Sequence, residues 1–133
     1  MNLLRAKVIK IQSKENLNIV TFNFNSNELI MMSLDLDTNV KVGVEVQLSI
    51  NPTQLSLAKN FQGDISDSNR LEAVVTGVEF GDLLVSVQTN INTHIMESII
   101  TLESAKRLNL KVEDRVTLFI NASQLSILEI IHD

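Results

Sequence analysis

From Leu71 to Phe80 the chain alternates Leu71, Ala73 and Val75 with Glu72, Val74 and Thr76, the two-residue period of a strand with one buried face. Gly81-Asp82 follows as a tight-turn pair, and beyond it Leu83, Val85 and Val87 share a face, so the two stretches predict a hairpin. Thr93 to Ile100 reads as a third strand, Arg115 to Ile120 as a fourth with Val116, Leu118 and Ile120 inward, and Gln124 to Ile130 as a fifth. Between the third and fourth lies the one helical signal. Thr101 is suited to cap it, Ala105, Lys106, Arg107 and Leu108 tolerate helix, and Asn109 suits the left-handed residue that ends it.

The same pattern occurs earlier in the chain. Asn2-Leu3-Leu4-Arg5-Ala6-Lys7-Val8 lies over Asn69-Arg70-Leu71-Glu72-Ala73-Val74-Val75, and Val46 to Leu57 lies over Val116 to Ile127. The first match is offset by 67 positions and the second by 70, so the second copy gains three residues in its middle. The first copy is expected to follow the same plan, with Asn39 in the place of Asn109 and Gly43 in the place of Glu113. Five strands with a short helix between the third and fourth describe a small OB-like barrel. The expected fold is all-β with short helices: two tandem OB-like five-stranded barrels, at residues 1–60 and 69–133, with 61–68 as linker. The linker reading rests on Gly63, Asp64, Ser66, Asp67 and Ser68. Units this small complete their cores by stacking on one another.

Composition removes several function classes. The 133 residues carry a net charge of −5, with five Phe and no Trp or Tyr, so neither the clustered cations nor the stacking platforms of a nucleic-acid binder are present. No Cys is available for disulfides or thiolate metal sites. No apolar run approaches the 18 or so residues of a membrane span, and the start lacks a signal-like segment; a cytoplasmic location is expected. His94 and His132 stand alone, without partners at metal-ligand spacing, and are read as surface residues. Met31-Met32 reads as packing. No nucleophile triad, phosphate loop or paired-carboxylate motif is visible, so an enzyme is not expected.

The stretch Glu97 to Leu110, followed by Val116 to Ser123, resembles the TOBE or Mop domain, and the tandem arrangement is similar to the two-domain molbindins and to the sensing half of molybdate-responsive regulators. The resemblance implies paired OB-like barrels, often assembled into dimers, trimers or larger rings, with molybdate or tungstate held at the seams. A tetrahedral dianion offers only acceptors, so its site must converge N–H and O–H donors, preferably with a cation. Carried over by position, the resemblance implies oxyanion-binding roles for Ser66, Ser68 and Asn69 before the first strand of the second copy, Thr101 and Ser104 at the helix start, and Asn121, Ala122 and Ser123 after the fourth strand. The family's Arg position holds Ser68 and its Lys position holds Asn121. Arg70, one residue beyond Asn69, faces the wrong way by strand alternation to replace that Arg. In the first copy Met31 and Leu34 stand for the Thr and Ser, Asn51-Pro52 for the Lys-containing pair, and Asp35 and Asp37 lie near the expected helix start, where they repel an oxyanion.

Three readings come from different classes, of which nucleic-acid binding through the OB-like face is disfavoured by the charge of −5 and the few aromatics. The first is intracellular binding of molybdate or tungstate, for storage, homeostasis or sensing linked to molybdate transport, with the oxyanion as the only ligand. The alternative is a regulatory or protein-interaction module that keeps the fold but has lost the anion. Expected partners are further copies of the chain, as a trimer or dimer, and molybdate-transport or regulatory proteins, with no nucleic acid and no membrane insertion.

Overall fold

The computed structural model describes residues 1–132. The first copy supplies β1 (Asn2–Lys14), β2 (Leu17–Phe24), β3 (Asn27–Leu34), β4 (Glu45–Ile50), a 3-10 turn (Pro52–Gln54) and β5 (Ser56–Ala58). The second supplies β6 (Asn69–Phe80), β7 (Leu84–Ile91), β8 (His94–Thr101), α1 (Leu102–Leu108), β9 (Arg115–Ile120), a 3-10 turn (Ala122–Gln124) and β10 (Ser126–Ile130). In β6 the expected alternation holds, with Leu71, Ala73 and Val75 buried. The β6–β7 hairpin also forms, with Phe80 opposite Val85. Leu83 departs from its expected inward face, because it lies in the turn, 79% exposed, where its carbonyl accepts from the Leu102 amide at 2.9 Å.

The two copies do not form separate sheets. One sheet runs β10-β4-β1-β2-β3 and the other β5-β9-β6-β7-β8, so each copy completes the other with its last strand. Ser126 pairs with Ser49 and Ile130 with Val46, while Ser56 pairs with Phe119 and Ala58 with Thr117. The buried apolar residues of both sheets form one continuous cluster, with Phe22, Leu48, Leu71 and Leu118 among its fully enclosed members. The apolar tail of the chain is therefore partly covered within the molecule, by the β4 edge.

The three extra residues of the second copy fall between its third and fourth strands, and they make α1. The corresponding interval of the first copy, residues 35–44, contains turns and no helix, which corrects the expectation of one plan for both copies. Leu34, the last residue of β3, thus stands where Thr101 ends β8. The returns into the fourth strands nevertheless match. Val8 exchanges backbone bonds with Gly43 and Val44, and Val75 does so with Glu113 and Asp114, at 2.8–2.9 Å. Gly43 and Glu113 both adopt positive φ, at 96° and 81°, a region that suits glycine and strains glutamate.

Candidate functional site

Each 3-10 turn packs against the third strand of the other copy, and this cross-packing creates two related seams. At the first, β8 ends in Thr101, whose hydroxyl accepts from the Ser104 amide at 3.2 Å and donates to Ser104 Oγ at 3.0 Å. Asn109 closes α1 in the left-handed conformation, at φ 51° and ψ 51°. Arg107 donates from Nη2 to Ser104 Oγ at 3.1 Å and from Nε to Glu103 at 2.8 Å, a contact that raises its already high pKa. Across the seam, the buried Ser98 hydroxyl donates to the Leu55 carbonyl. A cavity of about 540 Å³ lies between the two sides, with Thr53, Ser56, Lys59, Asn60, Ser104 and Arg107 contributing polar groups. Lys59 Nζ is 3.0 Å from Asp114 and donates to the Asn109 carbonyl at 3.0 Å. Thr101 opens instead onto a neighbouring groove beside Leu83, Leu102 and Lys106.

The second seam is built the same way around the other turn. Asn121 Oδ1 accepts from the amide and hydroxyl of Ser123, at 3.0 and 2.9 Å, and Asn51 does the same for Thr53 at the same distances. A shared turn-capping role therefore accounts for an Asn at this place in both copies. Asn121 Nδ2 also reaches the half-buried Asp67 at 3.4 Å, which brings the segment with exposed Ser66 and Ser68 to this corner. Ser123 lines a cavity of about 910 Å³ together with Leu34, Asp35, Asp37 and Glu129 of both copies. Ala122 opens the turn and is half-buried.

Asn69 is fully buried and its amide is committed to backbone. Its Oδ1 accepts from Ile30 N at 2.6 Å, and its Nδ2 donates to Ile30 O at 2.9 Å and Ile120 O at 3.1 Å. Asn2, its counterpart, makes the same two-way contact with the backbone of Glu97, at 2.7 Å in both directions. The pair therefore clamps each copy to the third strand of the other. Arg70 lies over the rings of Phe61 and Phe119, at 5.1 and 5.6 Å from their centroids, and not beside Asn69.

The eight residues singled out from the sequence are thus divided. Thr101 and Ser104 meet at the first seam, whereas Ser66, Ser68, Asn69, Asn121, Ala122 and Ser123 gather at the second. The sequence does not single out Thr53 and Lys59, which face the other copy across the seam, or Arg107, which on the sequence is one helix-tolerant residue among several. The match of Thr53 to Ser123 in the repeat alignment was the available signal for the first of them. His94 packs edge-on against Phe24 with centroids 5.4 Å apart, and no cluster of potential metal ligands exists among the described residues. No helix there is long and apolar enough to cross a membrane.

Comparison with known proteins bears on this architecture. Residues 65–127 match the TOBE domain. No curated protein matches by sequence. Among solved structures, the cytoplasmic molybdate-binding protein ModG, crystallised with molybdate bound, superposes with a TM-score of 0.84 at 18% identity, covering 95% of this chain and 94% of that one. The second copy is therefore similar to a TOBE domain, and the whole chain has the fold of ModG.

Proposed function

We propose that this protein binds molybdate inside the cell, as a ligand-binding protein and not an enzyme. The observation that carries the reading is the fold likeness to ModG over nearly the full length of both chains, joined to a TOBE match in the copy that keeps Thr101 and Ser104. The Ser104 hydroxyl, oriented by the bonds that it and its amide make with Thr101, is a donor of the kind that a tetrahedral dianion needs. Ser66, Ser68, Asn121, Ala122 and Ser123 gather at the other seam, where Ser123 shares its cavity with Asp35, Asp37 and Glu129, so the anion is assigned to the Ser104 side, and Asn69 acts by fixing the strand on which it lies. Tungstate has the same shape and charge and is the natural competitor. Storage, homeostasis or sensing linked to molybdate transport follows from reversible binding, and the chain acts as an oligomer of its own copies. The alternative of an interaction module without ligand rests on the missing Arg and Lys, and the comparisons do not favour it.

Calorimetric titration of the purified protein with molybdate, tungstate, sulfate and phosphate tests the proposal. Thr101→Ala combined with Ser104→Ala is expected to remove most binding, since each hydrogen bond to a charged acceptor contributes about 1.5–3 kcal/mol. Unchanged affinity in this double variant would refute the assignment of Thr101 and Ser104.

A further inference from the structure

The two seams are related by the internal repeat, yet their charged positions are inverted. At the offset of 70 that places Val46 over Val116, Lys59 corresponds to Glu129, and Arg107, on the helix that the first copy lacks, stands over Asp37 of the loop in its place. All four side chains line their respective cavities. The first cavity therefore has a lysine and an arginine where its twin has a glutamate and an aspartate, and the twin adds Asp35. No lysine or arginine lines the twin among the described residues.

We infer that the first seam is the one intramolecular anion site of this chain, that Lys59 and Arg107 are its cations, and that the acid-lined twin is closed to anions. The inference rests on the proposed oxyanion-binding function and names the residues that replace the family's absent Arg and Lys. Three features carry it. Arg107 spends Nε and Nη2 on Glu103 and Ser104, which leaves Nη1 for a ligand, and Lys59 spends two of its three donors. The carboxylates that orient these cations, Glu103 and Asp114, do not line the cavity, so an incoming anion meets the donors and not their partners. Ser104 and Ser56 add hydroxyls, one from each copy, within a space large enough for a tetrahedral oxyanion. In the twin, three carboxylates would face the same anion with His132 as the one basic side chain among the described lining residues, and like charges in a partly enclosed space repel more strongly than in water.

The test is calorimetry on the full chain with molybdate as probe, repeated at two salt concentrations. Arg107→Gln and Lys59→Gln are each expected to weaken binding about tenfold and the double variant about a hundredfold, with Arg107→Lys retaining part of the affinity. Asp37→Asn with Glu129→Gln, in the twin, should leave that binding unchanged. Circular dichroism of each variant separates lost binding from lost fold. A parent that binds molybdate but is matched in affinity by the folded Arg107→Gln, Lys59→Gln double variant would overturn the inference, as would an equal loss from the twin variants. A parent that binds none of molybdate, tungstate, sulfate or phosphate would instead overturn the function on which it rests.

Discussion

At the scale of single residues, two positions depart from what the surrounding structure favours and a third is held by it. Thr89 is fully buried in β7 and its hydroxyl has no partner, in a place where the first copy has Phe22. Thr89→Val removes an unsatisfied polar group at nearly constant volume and is expected to stabilise the fold by about 1 kcal/mol, seen as a melting temperature higher by a few degrees. Glu113 holds a positive φ that Gly43 holds without strain in the other copy, so Glu113→Gly should also raise the denaturant midpoint, by about 1 kcal/mol in stability. Asp114 is the third. The side-chain bond from Lys59, then the backbone N–H of Lys111, hold its carboxyl below the usual aspartate range. A lowered native pKa means that the contact stabilises the fold fully above the unfolded value of about 3.9 and loses its effect as pH falls through the native value. Acid unfolding followed by circular dichroism should show a shallower pH dependence for Asp114→Asn than for the parent, confined to the range below about pH 4–5.

At the scale of elements, what was legible in the sequence was what is decided locally. The β6–β7 hairpin follows from alternation and a turn pair, and α1 from a capping Thr101 and a left-handed Asn109, each settled by near neighbours. The absence of a helix in the first copy was also encoded, as three fewer residues between strands, but it was hidden because the missing residues could be placed on either side of β3. The exchange of β5 and β10 was not legible at all. Gln54-Leu55-Ser56-Leu57 and Gln124-Leu125-Ser126-Ile127 are near copies, and so are the strands they pair with, so either partner satisfies the same pattern. The candidate site shared that fate: Thr101 and Ser104 are three residues apart on the chain, but Lys59 reaches the same seam only through the exchanged segment. The Asn2 and Asn69 clamps hold this arrangement. Asn69→Ala would leave the backbone groups of Ile30 and the Ile120 carbonyl without their partners, and a loss of about 3 kcal/mol is expected in chemical denaturation.

At the scale of the whole molecule, the exchanged strands bind both copies into one core, and apolar surface remains outside it. Leu34, Phe80 and Leu83 are 65%, 60% and 79% exposed, which is consistent with the proposed assembly of copies. Light scattering at micromolar concentration is expected to give a dimer or trimer, and a mass of 14.9 kDa, with or without molybdate, would contradict it. Thermal unfolding should be a single transition, because neither copy encloses a core alone. The strand exchange also sets an order in time. During synthesis the first copy leaves the ribosome with the free edge of β4 exposed, and the strand that covers it, β10, is encoded by residues 126–130. β5 likewise waits for β9, made some sixty residues after it. The N-terminal sheet therefore cannot close until the C-terminal one is nearly complete, so folding is deferred to the end of translation and depends on contacts distant in the chain, which are slow to form.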